Sequence, residues 1–153
     1  MKRIALATGV FLITLCMVGC PMNSTQQQQA ANASLQAATV LKTAQAGEIT
    51  AFQNGLIPAA DHQFIELQFG NVAQIGKTAD SCIASASAQA GVLTCLNSAI
   101  TSIDTMNTNG GLELKSTQAK TDYALAMTAI RTVFASIEAT MGGTPPAAPA
   151  PAN

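Results

Sequence analysis

Apolar side chains recur at three- or four-residue steps along most of this chain, which is the spacing of one face of an α-helix. In the first such stretch polar residues, Glu48 among them, lie between the apolar positions, and Asn54-Gly55 is a typical helix end. We therefore predict a first helix whose core-facing residues are Leu35, Ala38, Leu41, Ile49, Phe52 and Leu56.

A second helix is predicted to begin near Pro58, because proline suits the first turn of a helix. It is expected to end within residues 85–91, a run of Ser, Ala and Gln that closes with glycine. Its broad apolar face consists of Phe64, Ile65, Phe69, Val72, Ile75, Ala79, Cys82 and Ile83.

The third and fourth helices have clearer patterns. The asparagines and glycines at residues 107–111 predict the end of the third helix, and Ser116 or Thr117 is suited to cap the start of the fourth. Residues 141–143, Met-Gly-Gly, predict the end of the fourth helix. The predicted core faces are Val92, Leu96, Ala99, Ile103 and Met106 in the third helix, and Tyr123, Met127, Ile130, Phe134, Ile137 and Met141 in the fourth.

Four helices joined by short connections favour antiparallel neighbours, and no alternating strand pattern competes with them. The predicted fold class is all-α: a small antiparallel bundle of about four helices, arranged as two αα-hairpins, with disordered ends. The helical domain is expected over residues 30–142, followed by a Pro/Ala-rich disordered tail over 143–153. Because aromatic residues make up only 4% of the chain and alanine is abundant, we expect a thin core.

Residues 1–19 have the pattern of a secretory signal peptide. Lys2 and Arg3 precede an apolar run over residues 4–18. As a helix this run spans about 22 Å, which is short of the roughly 30 Å hydrocarbon core of a bilayer. We therefore predict a removable leader rather than a transmembrane helix.

The end of this leader, Met17-Val18-Gly19-Cys20, resembles the lipobox of bacterial lipoproteins, although leucine is more usual than methionine at its first position. The resemblance implies cleavage between Gly19 and Cys20. It also implies lipidation of the Cys20 thiol, with further acylation of the new amine by a chain such as palmitate. Cys16 does not compete as the lipidated residue, because the bulky Leu15 precedes it.

The same resemblance implies a mature protein in the cell envelope, held to the membrane by its N-terminal lipid. Residues 20–29 would then be the lipidated cysteine and a polar tether. Each acyl CH₂ that enters the bilayer contributes about 0.8 kcal/mol, so two or three chains anchor firmly. Pro21 stands where a retention signal for the inner membrane would have Asp. We therefore expect the outer membrane, with the protein facing the periplasm or the cell surface.

The low charge of the chain argues against some classes of binding partner. Charged residues make up 10% of the chain and the formal net charge is −1, so the polar surface must consist largely of Gln, Asn, Ser and Thr. Nucleic-acid binding requires clustered Lys and Arg, and the sequence has no such cluster. We expect no nucleic-acid partner.

Cys82 and Cys95 remain in the mature chain beside Cys20. Export places them in an oxidising compartment, where a cysteine pair normally forms a disulfide. The alternatives are a redox pair or half of a metal site, but there is no Cys-x-x-Cys motif and no histidine nearby. We predict a structural disulfide that closes a loop of about fourteen residues and contributes about 3 kcal/mol.

His62, the one histidine of the chain, adjoins Asp61 and lies one helical turn before Glu66. A weak metal site or a pH-sensitive pair is one interpretation of this group. We favour a solvated first turn in which Asp61 complements the helix dipole. A metal site needs three or four ligands and no further ligand is spaced to join, so we expect no metal and no cofactor.

The sequence offers no recognisable catalytic motif. The serines lack an accompanying base, and Asp104, Glu113 and Asp122 are expected to be surface charges rather than paired catalytic acids. We therefore expect a non-enzymatic lipoprotein with a structural or interaction role, which holds a protein partner or a second copy near the membrane. The alternative is a helical binding module for a hydrophobic or peptide ligand in the periplasm.

Overall fold

The computed structural model describes residues 26–149, and the regular structure in this part is helical: α1 Gln26–Gln53, α2 Ala59–Ser85, α3 Gln89–Glu113 and α4 Thr117–Thr140. Each helix packs against the next one in the chain, and α4 closes the bundle against α1. Because the connections are short, consecutive helices run antiparallel. The predicted all-α bundle of two αα-hairpins is confirmed, and α1 takes in the glutamines that we expected at the end of the tether.

The apolar faces predicted for α2, α3 and α4 form most of the core. Cys82 is an exception, because it is exposed although it belongs to the predicted face of α2. Two residues of the connections, Ile57 and Leu114, add to the core and were not predicted. The predicted residues that become almost fully buried are Ile65, Phe69, Ile83, Val92, Leu96, Ile103, Tyr123, Met127, Ile130 and Phe134.

Helix α1 buries a different face from the one predicted. Leu35 is 71% exposed and Leu56, after the helix end, is 58% exposed. Ala38 and Ile49 also face solvent, whereas Leu41 of the predicted stripe is buried and Phe52 is half-buried. Among the α1 side chains that the structure describes, the buried ones are Ser34, Ala37, Leu41 and Glu48. Since α1 has few large apolar side chains, contacts with α2 and α4 decide which face is buried.

The asparagine- and glycine-rich run at residues 107–111 does not end α3, so this prediction is wrong. The helix continues to Glu113, and within it Gly110 lies in close contact with Tyr123. A Cβ on Gly110 would lie 2.6 Å from Cε1 of the tyrosine ring. The Tyr123 hydroxyl donates to the Met106 carbonyl at 3.0 Å, and burial raises the pKa of Tyr123 to about 12. Glycine here permits close packing rather than a turn.

We expect Gly110→Ala and Gly111→Ala to have opposite effects on stability. In a helix, alanine is favoured over glycine by about 1 kcal/mol, which applies directly at Gly111, where a Cβ meets nothing within 4 Å. At Gly110 the clash with Tyr123 should outweigh this gain and lower the free energy of unfolding by about 1–3 kcal/mol. Urea denaturation of both variants measures the difference. A Gly110→Ala protein as stable as Gly111→Ala would contradict the observed packing of Tyr123.

The ends of α1 and α4, the start of α4 and the disulfide agree with the sequence predictions. Gly55 and Gly142 have positive φ angles of 71° and 78° at the ends of α1 and α4, where glycine is favoured. The Ser116 hydroxyl caps α4 by accepting from the Ala119 N–H at 3.1 Å. Cys82 and Cys95 are joined by a disulfide, with Cα atoms 5.8 Å apart, which links the end of α2 to the start of α3.

Among the helices of residues 26–149, none has both the length and the apolar character needed to cross a bilayer.

Candidate functional site

The most unusual polar group in the bundle is His62 in the first turn of α2 together with Glu48 of α1. His62 Nδ1 lies 2.7 Å from Glu48 Oε1, and the glutamate side chain is only 3% exposed. Phe52 stacks on the imidazole, with the ring centroids 4.0 Å apart and the planes 9° from parallel. With Glu48 as an ionised carboxylate, which can only accept, Nδ1 is the donor of this bond. His62 therefore supplies the hydrogen-bond partner that a buried glutamate requires.

Glu66, which the sequence placed on the same face as His62, takes a smaller part. Its Oε1 lies 3.9 Å from His62 Nε2, and its side chain is 56% exposed. Within residues 26–149, no group of three or more His, Cys, Asp or Glu side chains has the arrangement of a metal site. The sequence analysis did not identify Glu48 as the partner of His62. Glu48 lies on another helix, at a position where the sequence pattern predicts an exposed polar residue.

Asp61 is not in a solvated first turn, which corrects the prediction. It is 2% exposed, and its carboxylate accepts from the backbone N–H groups that lead into α4. Lys115 N lies 3.0 Å from Oδ1 and 3.2 Å from Oδ2, and Ser116 N lies 2.7 Å from Oδ2. Asp61 therefore ties the start of α2 to the α3–α4 connection.

The electrostatics of Asp61 follow from these contacts. Burial by itself would raise the pKa of the carboxyl group. Hydrogen bonds from the backbone of Ser116 and Lys115, with the Ser116 hydroxyl and the Lys115 charge, outweigh burial and lower the pKa below its ordinary value. The charged form of Asp61 is therefore the one that the fold stabilises.

A third buried carboxylate lies between α3 and α4. Glu138 is completely buried, and its Oε1 accepts from the Asn97 side-chain amide at 2.6 Å. Within the described residues its Oε2 has no hydrogen-bond partner. Gly143 packs so closely on Glu138 that a Cβ there would lie 2.6 Å from Glu138 Cγ. The Asn97–Glu138 hydrogen bond joins the end of α4 to α3.

Two clefts follow the seams between neighbouring helices. The larger, of about 570 Å³, lies between α2 and α3 beside the disulfide and is rich in hydroxyl groups. The smaller, of about 360 Å³, lies between α1 and α4 and is more apolar, with Val40, Ala129 and Val133 in its walls. Hydroxyl groups that line the larger cleft belong to Thr78, Ser98, Thr101, Ser102 and Thr105.

The remaining residues considered in the sequence analysis differ in exposure and in their contacts. Gly19 and Cys20 lie outside the described residues. Glu113 is exposed and Asp122 accepts from the Gln118 amide at 2.9 Å, whereas Asp104 pairs with Arg131 of α4 at 2.7 Å. Asp104 is therefore more than a solvated surface charge.

No protein-family model, curated protein or solved structure matches this chain.

Proposed function

We propose that this protein is a lipid-anchored lipoprotein of the bacterial cell envelope with a non-enzymatic structural or protein-interaction role. The observation that carries the proposal is the order of segments: a short apolar leader, Gly19-Cys20, and then a helical body that begins at Gln26. Residues 21–25 can reach at most about 18 Å even when fully extended. A lipid on Cys20 would therefore hold the bundle close to the membrane, at the outer membrane by the argument from Pro21.

The anchor would also orient the bundle. Helix α1 begins next to Cys20 and has 28 residues, which span about 42 Å. The α1–α2 and α3–α4 connections, with His62 and Asp61, would then lie at the end that faces away from the membrane. Leu56 and Leu112 are 58% and 67% exposed near this distal end. They offer apolar contacts to a partner protein or to a second copy.

The use of His62 supports a non-enzymatic role. Histidine is the side chain best suited to acid–base chemistry near neutral pH. Here one ring nitrogen is bonded to the buried Glu48 and one ring face is covered by Phe52. The site stabilises the α1–α2 hairpin, and this structural use is consistent with a scaffold.

The anchor is tested by replacing the lipidated cysteine. We expect Cys20→Ser to move the protein from the membrane pellet to the soluble fraction of the host bacterium, because the serine hydroxyl is not the thiol that accepts the lipid. Cys16→Ser is the matched control and should remain in the pellet. Fractionation with immunoblotting measures both. A Cys20→Ser protein that stays fully membrane-bound would refute the lipoprotein assignment.

The interaction role has a separate test. Affinity purification from native membranes, followed by mass spectrometry and size-exclusion chromatography, should enrich a specific partner or show a self-associated species. A monomer without an enriched partner would remove the support for this role while leaving the anchor untouched.

A second candidate function is a binding module for a hydrophobic or peptide ligand. The observation in its favour is the α1–α4 cleft, whose volume of about 360 Å³ falls within the range of small-molecule sites. A hydrophobic ligand that copurifies with the wild-type protein and is lost from Ala129→Leu would favour this function over a scaffold.

A further inference from the structure

The chain does not leave the bundle where α4 ends. Gly142 has a φ of 78°, and the Gly143 N–H donates to the Glu138 carbonyl at 2.9 Å. The Gln89 side chain at the start of α3 donates to the Met141 carbonyl. A Cβ on Gly143 would lie 2.8 Å from Leu93 Cδ2, so the turn fits closely against α3. These contacts direct the following residues back along the bundle.

Arg131 holds the returning segment. Its Nη2 donates to the Pro146 carbonyl, and its Nε donates to Asp104 Oδ1 at 2.7 Å. The side chains of Arg131 and Asp104 are 14% and 15% exposed, so the pair is largely covered. Pro145 and Pro146 are half-buried. A guanidinium that is fixed by Asp104 thus presents a second donor to the backbone of the tail.

The distances agree with a polyproline II conformation of this tail. The turn places Gly143 against Glu138, which lies seven residues after Arg131, or about 10.5 Å along a helix. Pro146 lies three residues after Gly143, which is about 9.3 Å at the polyproline II rise. The segment therefore needs an extended conformation to bring Pro146 beside Arg131. Polyproline II has no internal hydrogen bonds, so its carbonyls are available to an external donor such as Arg131.

Beyond Pro146 the tail faces α3. Pro146, Ala147 and Pro149 share an open cavity of about 430 Å³ with one face of that helix. The α3 residues in its walls are Thr101, Asp104, Thr105, Thr108 and Asn109. We propose that the seam between α3 and α4, centred on Arg131 and Asp104, is a docking site for a proline-rich segment in the polyproline II conformation. The tail of the same chain, residues 144–149, fills it in cis.

This inference deepens the proposed interaction role and is independent of the lipid anchor. The site binds the Pro/Ala-rich tail of this chain. A second copy of the protein has the same tail and can supply it in trans. Release of the cis tail exposes the Arg131–Asp104 pair, so two copies that exchange tails form the Arg131–Pro146 bond between them. The site can therefore link copies of the protein through their tails.

Docking in cis is tested on a ¹⁵N-labelled chain of residues 21–153, which contains all described helices and the whole tail. The {¹H}–¹⁵N NOE of the Ala147 and Ala148 amides should match that of the helices. It should fall to values typical of a mobile chain in Arg131→Gln and remain unchanged in Lys120→Gln, a control at an exposed position of α4. Equal mobility of these amides in the wild type and in Arg131→Gln would overturn the proposal.

Docking in trans is tested with a fluorescent peptide of sequence TPPAAPAPAN. The receiving chain keeps its full length but carries Pro145→Gly, Pro146→Gly and Pro149→Gly, which free its own tail. Because a tethered tail competes at millimolar effective concentration, we expect the peptide to bind this variant at least about tenfold more tightly than the wild type. Adding Arg131→Gln to the variant should abolish binding. Equal binding to variant and wild type, or none to the variant, would contradict the proposed site. Neither experiment involves Cys20, so their outcomes are separate from the membrane fractionation.

Discussion

Replacing His62 with alanine is expected to lower the free energy of unfolding by about 3 kcal/mol. The substitution removes the hydrogen-bond partner of a buried glutamate, and loss of one member of a buried pair leaves a charge or polar group without compensation. It also removes the ring that stacks on Phe52, a contact of about 0.5–1.5 kcal/mol. Chemical denaturation of the oxidised protein, with the disulfide intact, measures the change.

Two further variants separate these contributions. Glu66→Gln alters an exposed carboxylate 3.9 Å from the same imidazole and should change stability by less than about 0.5 kcal/mol. Adding Glu48→Leu to His62→Ala removes the unpaired carboxylate and should recover a large part of the loss. If the double variant is no more stable than His62→Ala, the buried Glu48 is not the source of the effect.

Replacing Asp61 with alanine should cost about 2–4 kcal/mol, because two backbone N–H groups at the start of α4 lose a charged acceptor. Asp61→Asn retains one acceptor oxygen and should lose less. Hydrogen exchange at the Lys115 and Ser116 amides should increase most in Asp61→Ala. Unchanged protection of these two amides in Asp61→Ala would argue against the observed contact.

The lowered pKa of Asp61 predicts how this contribution depends on pH. A carboxyl group whose pKa is lower in the folded than in the unfolded state stabilises the fold above its unfolded pKa. The stabilisation is complete above about pH 5 and is lost as the pH falls below the ordinary value of 3.8 and through the folded pKa. The difference in stability between wild type and Asp61→Asn should therefore shrink between pH 5 and pH 2. A difference that stays constant over this range would contradict the assignment.

Much of the candidate site lay beyond sequence reasoning. The spacing of His62 and Glu66 drew attention to α2, but the decisive partners are Glu48 on α1 and the backbone of Lys115 and Ser116. The sequence does not show which backbone N–H groups will donate to a side chain, because every residue except proline has one. A single glutamate in a helix is normally exposed to water, so its burial was not predicted. The buried Glu138 was invisible for the same reason.

The sequence by itself determined the number of helices, the connection after α1 at Asn54-Gly55, the core faces of α2 to α4 and the Cys82–Cys95 bridge. These features depend on local spacing, turn-forming residues and cysteine chemistry, which are encoded within a few turns of chain.

Only the tertiary structure determined which face α1 buries and that α3 continues through Gly110. It also determined which groups Asp61, Glu138 and the tail contact. Each of these depends on a residue of another element: His62 for Glu48, Tyr123 for Gly110, Ser116 for Asp61, Asn97 for Glu138 and Arg131 for Pro146. In an alanine-rich helix such as α1 the difference in apolar character between faces is small. One buried pair and the fit of small side chains can therefore outweigh the hydrophobic pattern and set the orientation of the helix.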